Sequence, residues 1–182
     1  EATGLSTVTV ASILQTLIDA NEVFDAGLIA SSGGRPAQSF RFNENHSHVL
    51  VLFTREKDGL DMLYVRVANL YGECVYEVDT PLEDIHLHTF EPYIEAALEE
   101  YATIRAIGFG LPGIELEGNV ILMDYPALTD TSFVTHYEDR YQLPVIVEND
   151  VNAASVGYCK HHQIETESAI LYLYFPQKYA PG

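Results

Sequence analysis

The sequence predicts an α/β chain in two parts: a helix-and-hairpin module over residues 1–45, then an open sheet flanked by helices over residues 46–182. Three observations carry this reading. Val10, Ile13, Leu14, Leu17 and Ile18 fall at i, i+3, i+4, i+7 and i+8, the single apolar stripe of an amphipathic helix. Two short extended segments, 27–30 and 38–42, flank a glycine-rich connection, which is a hairpin pattern. Beyond residue 46, strand-length apolar runs alternate with helical patterns.

Size and charge bound what the chain can do. Its 182 residues, 47% of them apolar, can bury one good core or two small ones. Net charge is −18. Residues 1–45 hold five acids and two bases, Arg35 and Arg41, so most of the excess lies in the second part. Bulk electrostatics therefore oppose nucleic acid, whose phosphates are neutralised by Lys and Arg. Any DNA contact must be local and gain affinity from a dimer. No apolar run is long enough to span a bilayer, and no secretory leader is expected. Two cysteines, Cys74 and Cys159, give neither a disulfide framework nor a paired metal spacing, which fits free thiols in a reducing cytoplasm. The chain begins without Met and stops on Pro181-Gly182 after a strand-like run, so both ends are read as cuts through larger elements.

In the first part, Ser6 follows the turn Thr3-Gly4-Leu5 and is placed to cap a helix that runs to Asp19. The face opposite its apolar stripe shows Thr7, Val8, Ala11, Ser12 and Gln15, short or neutral side chains that suit a DNA groove and suit solvent equally well. The hairpin after it has a flexible tip, residues 31–37. Helix followed by hairpin is the order of a winged helix-turn-helix. Asn43-Glu44-Asn45 is a polar linker.

In the second part, strands are expected over 48–54, 60–70 and 73–78, with Asp58-Gly59 the strongest hairpin signal. A helix over 91–101 keeps Ile94, Ala97, Leu98 and Tyr101 on one side and leaves Glu95, Glu99 and Glu100 wet. A buried strand over 104–109 ends in Gly110-Leu111-Pro112-Gly113, whose glycines let a ligand or a neighbouring backbone come close, or simply make a turn. Glu117-Gly118-Asn119 reads as a hairpin turn, and residues 132–141 as a second helix.

The stretch 143–157 organises the rest. Val145, Ile146 and Val147, bounded by Pro144 and Glu148, read as a buried parallel strand. A helix of small residues begins at Asn152 and runs through His162, and a last strand covers 169–175. An acidic-amide cluster at the carboxyl end of a buried strand sits where open α/β sheets bind ligands. Asp150 could accept a proton from a substrate hydroxyl that Asn149 fixes by hydrogen bonds, or it could merely cap the helix. Six of the seven histidines fall in pairs, at 46/48, 86/88 and 161/162, and His136 lies along the helix over 132–141; His86 and His88 could chelate on a strand, but no cysteine or carboxylate is patterned to join them, and they are read as polar loop residues.

Glu148-Asn149-Asp150-Val151-Asn152-Ala153-Ala154 resembles the signature of the ROK family of repressors and sugar kinases, and Ile107-Gly108-Phe109-Gly110-Leu111-Pro112-Gly113 resembles its glycine-proline-glycine segment. Gly4-Leu5-Ser6-Thr7-Val8-Thr9-Val10 is similar to the recognition helix of ROK-type repressors, and Ser32-Gly33-Gly34-Arg35-Pro36 to their wing. The resemblance implies a winged helix-turn-helix, without its preceding helices, followed by the first lobe of an actin-like (ribonuclease H-like) fold. It implies a regulator of carbohydrate metabolism, with operator DNA and a small sugar or sugar phosphate as partners and a homo-oligomer as the working form. DNA would be met by Ser6, Thr7, Thr9, Ser12 and Gln15 in the major groove and by Gly34 and Arg35 in the minor groove; the sugar would be met by Gly110, Gly113, Asn149 and Asp150.

One departure weighs against the family's kinases. Their first hairpin carries an Asp-x-Gly-x-Thr turn for ATP phosphates, whereas this chain has Asp58-Gly59-Leu60-Asp61, without the spacing or the threonine. The expectation is a regulator, not an enzyme, with no cofactor; in a kinase, Asp150 would be the catalytic base. The family's cysteine zinc motif belongs to its second lobe, and no metal site is expected here.

Overall fold

The computed structural model describes residues 4–29, 37–116, 119–121, 124–129, 132–164 and 170–175. The chain divides into two compact units, Glu1–Ser47 and His48–Gly182.

The first unit is one helix and one antiparallel hairpin. Helix α1, Thr7–Asp19, starts as the sequence expects: the Ser6 side chain accepts a hydrogen bond from the Thr9 amide at 3.1 Å. It stops at Ala20, and Asn21 turns the chain with a positive φ of 59°. Strands β1 (Val23–Ile29) and β2 (Ala37–Phe42) pair antiparallel, and the Asn43 side chain ties the hairpin's end back to the Asn21 carbonyl at 2.7 Å. β1 begins four residues before the expected start. Gly27 does not open the strand but sits in a bulge, at φ 82°, where the Asp25 carboxylate accepts its amide. The apolar stripe of α1 is present, yet no side chain of the helix is fully buried. The tip residues Gly34 and Arg35 lie outside the described residues.

The second unit is a five-stranded mixed sheet of order β5-β4-β3-β6-β9. Strands β3 (His48–Lys57), β4 (Leu60–Asn69) and β5 (Cys74–Leu82) form an antiparallel meander. The β3–β4 connection is the two-residue turn Asp58-Gly59, both at positive φ, which matches the right-handed strand twist. Helix α2 (Glu91–Glu100) crosses to β6 (Ile104–Leu111), which lies parallel to β3. A small antiparallel pair follows, β7 (Ile114–Leu116) with β8 (Asn119–Ile121); the two residues joining them, 117 and 118, lie outside the described residues. Helix α3 (Phe133–Tyr141) leads to β9 (Val145–Asn149), parallel to β6, and α4 (Asp150–His161) follows at once.

One face of the sheet carries the core. Along β3, Leu50 and Leu52 point inward, and along β4, Leu63, Val65 and Val67 meet them. Ile94 and Ala97 of α2 and Phe133 and Tyr137 of α3 close that face. Phe109 centres an aromatic cluster, 4.9 Å from both Phe133 and Tyr137 and 5.5 Å from Phe90. The Tyr137 hydroxyl donates to the Leu87 carbonyl, and burial raises its pKa.

Two expectations fail here. β9 is parallel but not buried: it is one of the two edge strands of the sheet, and Ile146 is 66% exposed while Val145 alone is buried. An apolar run reports that a strand has some covered face, not how many neighbours it has. The expected last strand is not formed by residues 170–175. They have no ladder partner among the described residues; instead the Tyr174 hydroxyl donates to the Glu56 carbonyl at 3.1 Å, and the Arg55 guanidinium lies 5.1 Å from the Tyr174 ring centre.

Candidate functional site

β6 and β9 end side by side, Gly110 opposite Glu148 and Leu111 opposite Asn149, so the glycine turn and the acidic-amide cluster meet at the carboxyl edge of the parallel strands. The first side chain there is Asn149. Its Oδ1 accepts the Asn152 amide at 3.0 Å and its Nδ2 donates to the Gly113 carbonyl at 2.9 Å. This corrects the reading of Asp150 as the cap. The helix starts at Asp150, not Asn152, and Asn149 is its N-cap. The Asp150 carboxylate instead accepts from its own amide and that of Val151, while the Asn152 amide goes to Asn149.

Asp150 is half-buried, and burial raises its pKa above the ordinary carboxylate value. Its own amide, that of Val151 and the Arg55 cation act against the shift, while Asp124 adds to it. Asp124 is itself raised, by burial and by Asp61. Three carboxylates and one guanidinium thus share this edge. A cavity of about 110 Å³ opens beside Asp150, lined by Phe53, Thr54, Arg55, Val151, Ala154, Tyr172 and Tyr174. Thr54 is 1% exposed, and its hydroxyl has no hydrogen-bond partner among the described residues.

Gly110 explains why the strands can close so tightly. A Cβ there would stand 3.0 Å from the Phe53 Cβ and 4.0 Å from the Asp150 Cα. Gly113 has φ 143°, outside the comfortable range of other residues. The structure brings Gly110, Gly113, Asn149 and Asp150 together, and of these four Asp150 lines the cavity, beside Phe53, against which Gly110 packs. Sequence reasoning missed Thr54, Arg55, Tyr172 and Tyr174 as its walls. Only the alternation of β3 marks Thr54 as inward, and nothing local announces that residues 172 and 174 return to it.

In the first unit, Ser6 and Thr9 are partly occupied with each other: their hydroxyls lie 2.9 Å apart, in addition to the cap. Thr7 and Ser12 are exposed, and Gln15 donates to Asp19 at 2.8 Å. An open groove of about 680 Å³ runs between α1 and the hairpin, past Leu5, Val10, Leu14, Ile18 and Phe40, and Thr7 and Gln15 line it too, on the hairpin side of α1 rather than opposite its apolar stripe. No described helix is long and apolar enough to cross a membrane.

Three antiparallel strands continued by two parallel ones, with helices crossing one face and a glycine turn beside an Asn-Asp pair, form a mixed α/β sheet consistent with an actin-like, ribonuclease H-like lobe. Residues 59–175 match the sequence profile of the ROK family, and the chain belongs to that family. It is 26% identical over 166 residues to the xylose repressor of Bacillus subtilis (strain 168), covering 86% of this chain and 42% of that protein. It is 24% identical over 164 residues to the xylose repressor of Caldicellulosiruptor bescii, covering 84% and 40%. Among solved structures it resembles a ROK family transcriptional regulator described as a homologue of the E. coli MLC protein, at TM-score 0.59 and 22% identity over 87% of this chain and 42% of that one. A candidate sugar kinase from Cytophaga hutchinsonii matches at TM-score 0.53 and 18% identity, over 62% and 39%. These structures share the fold, and the chain spans about two fifths of the length of the relatives it matches.

Proposed function

We propose a sugar-responsive transcription regulator, a repressor acting on carbohydrate metabolism in the cytoplasm as a homo-oligomer. The observation that carries the reading is the half-buried carboxylate of Asp150, held at the carboxyl edge of the parallel strands with Gly110 packed behind it. Asp150 accepts hydrogen bonds from sugar hydroxyls, the second N–H of Asn149 adds a donor, and the Gly110–Gly113 turn lets the ring approach the backbone. The crowding of Asp61, Asp124 and Asp150 favours a neutral sugar over a sugar phosphate. Relatives named xylose repressors make D-xylose the first ligand to test.

The first unit is the operator reader, a partial winged helix-turn-helix. Thr9 and Ser12 of α1 face the major groove, the start of α1 at Ser6 approaches a phosphate, and Gly34 and Arg35 enter the minor groove, while Thr7 and Gln15 line the groove between α1 and the hairpin. Sugar binding shifts the spacing of two such units in the oligomer, and with it the fit to two half-sites. A kinase is the other reading, with Asp150 as general base. It is disfavoured because the Gly59 amide, which a phosphate would need, is already taken by the Glu56 carboxylate at 2.5 Å. ATP is therefore not assigned as a cofactor.

The test is fluorescence anisotropy of the full-length protein on duplexes from upstream of its own reading frame, with and without D-xylose and other sugars. Specific binding that a sugar alters, and that Asp150→Ala makes sugar-blind without loss of DNA affinity, is expected. Absence of any specific DNA binding overturns the proposal. Sugar-dependent ADP release that Asp150→Asn abolishes would replace it with the kinase.

A further inference from the structure

Away from the sugar edge, the structure corrects the reading of the histidines. His88 lies in the turn before α2, Glu91 begins α2, and His136 sits on α3. His88 Nδ1 and His136 Nε2 each stand 2.8 Å from the same oxygen, Glu91 Oε1. The three candidate donor atoms lie within 4.8 Å of one another. The carboxylate that a search for patterned ligands around His86 and His88 did not find is three residues along, and the second imidazole comes from 48 positions further down the chain.

The geometry points to a divalent transition-metal site of the zinc class at His88, Glu91 and His136, clamping the start of α2 to the middle of α3. Two imidazole nitrogens and one carboxylate oxygen are the donor types zinc prefers when three protein ligands leave a fourth position open. Ligands at about 2.0–2.2 Å from a tetrahedral ion stand roughly 3.4 Å apart, so on metal binding the two 2.8 Å His–Glu contacts lengthen and the imidazole nitrogens, within 4.8 Å of each other, draw together. His88 has the freedom to do so: its side chain is 63% exposed, while Glu91 is 13% and His136 23% exposed and form the fixed part of the site. The turn carrying His88 is braced by His86, whose Nδ1 accepts the His88 amide at 3.2 Å.

Among the described residues Arg140 is the cation beside the site, 3.4 Å from the other oxygen of Glu91. It is paired at 2.8 Å with Glu95, so it leaves Oε1 available and brings little unneutralised charge. The excess of acids over bases in the chain also favours a cation. The site ties together the two helices that cover the core.

The test is zinc binding by the full-length protein, measured by equilibrium dialysis and titration calorimetry. Wild-type protein is expected to bind one zinc per chain more than a His88→Ala, His136→Gln double variant, and each single change to weaken that site roughly a hundredfold, the upper end of what losing a mere supporting partner does. Zinc should raise the melting temperature of wild type and not of the double variant, and cobalt bound at the site should give tetrahedral ligand-field absorption that the variant lacks. His161→Ala with His162→Ala, which removes an exposed histidine pair elsewhere, should change nothing. Equal zinc stoichiometry and affinity in wild type and the folded double variant, or loss of zinc on removing His161 and His162 instead, overturns the proposal.

Discussion

The side-chain amide of Asn149 joins two elements at once: it caps α4 through the Asn152 amide and holds the Gly113 carbonyl at 2.9 Å. A cap is worth about 1 kcal/mol and a part-buried hydrogen bond about as much. Asn149→Ala should therefore lower unfolding stability by about 2 kcal/mol in urea titration. Asn149→Ser should keep most of the cap and lose the clamp, falling between the two. A wild-type midpoint in the alanine variant would show that neither bond matters.

Two glycines on β6 should respond oppositely to one methyl group. At Gly110 the new Cβ meets the Phe53 Cβ at 3.0 Å, so Gly110→Ala should force β3 and β6 apart locally at a cost of about 1–3 kcal/mol. At Gly108 the nearest atoms are 4.0 Å away, and Gly108→Ala should be neutral or stabilising by up to about 1 kcal/mol through the unfolded chain. Thermal melts of the two variants side by side check the contrast; equal losses would mean that the crowding at Gly110 is not real.

The raised pKa of Asp150 has a defined sign in stability. Its folded-state pKa lies above the value of 3.8 expected unfolded, so ionisation favours the unfolded chain. The penalty is full at neutral pH and is relieved as pH falls through the folded pKa toward 3.8. Asp150→Asn should therefore be more stable than wild type at neutral pH, with the gap closing in acid. Paired denaturation curves across that range test it. A destabilised Asn variant at neutral pH would mean that the charge is held by partners rather than tolerated for function.

Local physics made much of this legible. Ser6 caps α1 because a side-chain oxygen three residues ahead of an amide is a local relationship, and Asp58-Gly59 turns because only those two positions need positive φ. The spacing of Ile94 and Ala97 marked the buried side of α2 for the same reason. What could not be read depends on neighbours in space. The exposure of Ile146 follows from its pointing to the face of β9 opposite the buried Val145, the walls of the cavity at Asp150 come from residues about 100 and 20 positions away, and His136 reaches Glu91 only because α2 and α3 cross the same face.

Thr54 is where stability and ligand binding should part company. It lines the cavity beside Asp150 at 1% exposure, and its hydroxyl finds no partner among the described residues. A buried hydroxyl left unpaired costs about 1–3 kcal/mol, so Thr54→Val should stabilise the unliganded protein by about 1 kcal/mol, against the usual direction of core changes. Thr54→Ser keeps the hydroxyl and loses a methyl, and should destabilise by about 1 kcal/mol. If the hydroxyl stays unpaired because it waits for a ligand, the valine variant should also bind the effector sugar more weakly while the serine variant binds it normally. Urea titration and sugar-dependent thermal shift on the same three proteins separate the two effects. A valine variant that loses stability would show that the hydroxyl already has a partner, and it would remove Thr54 from the site.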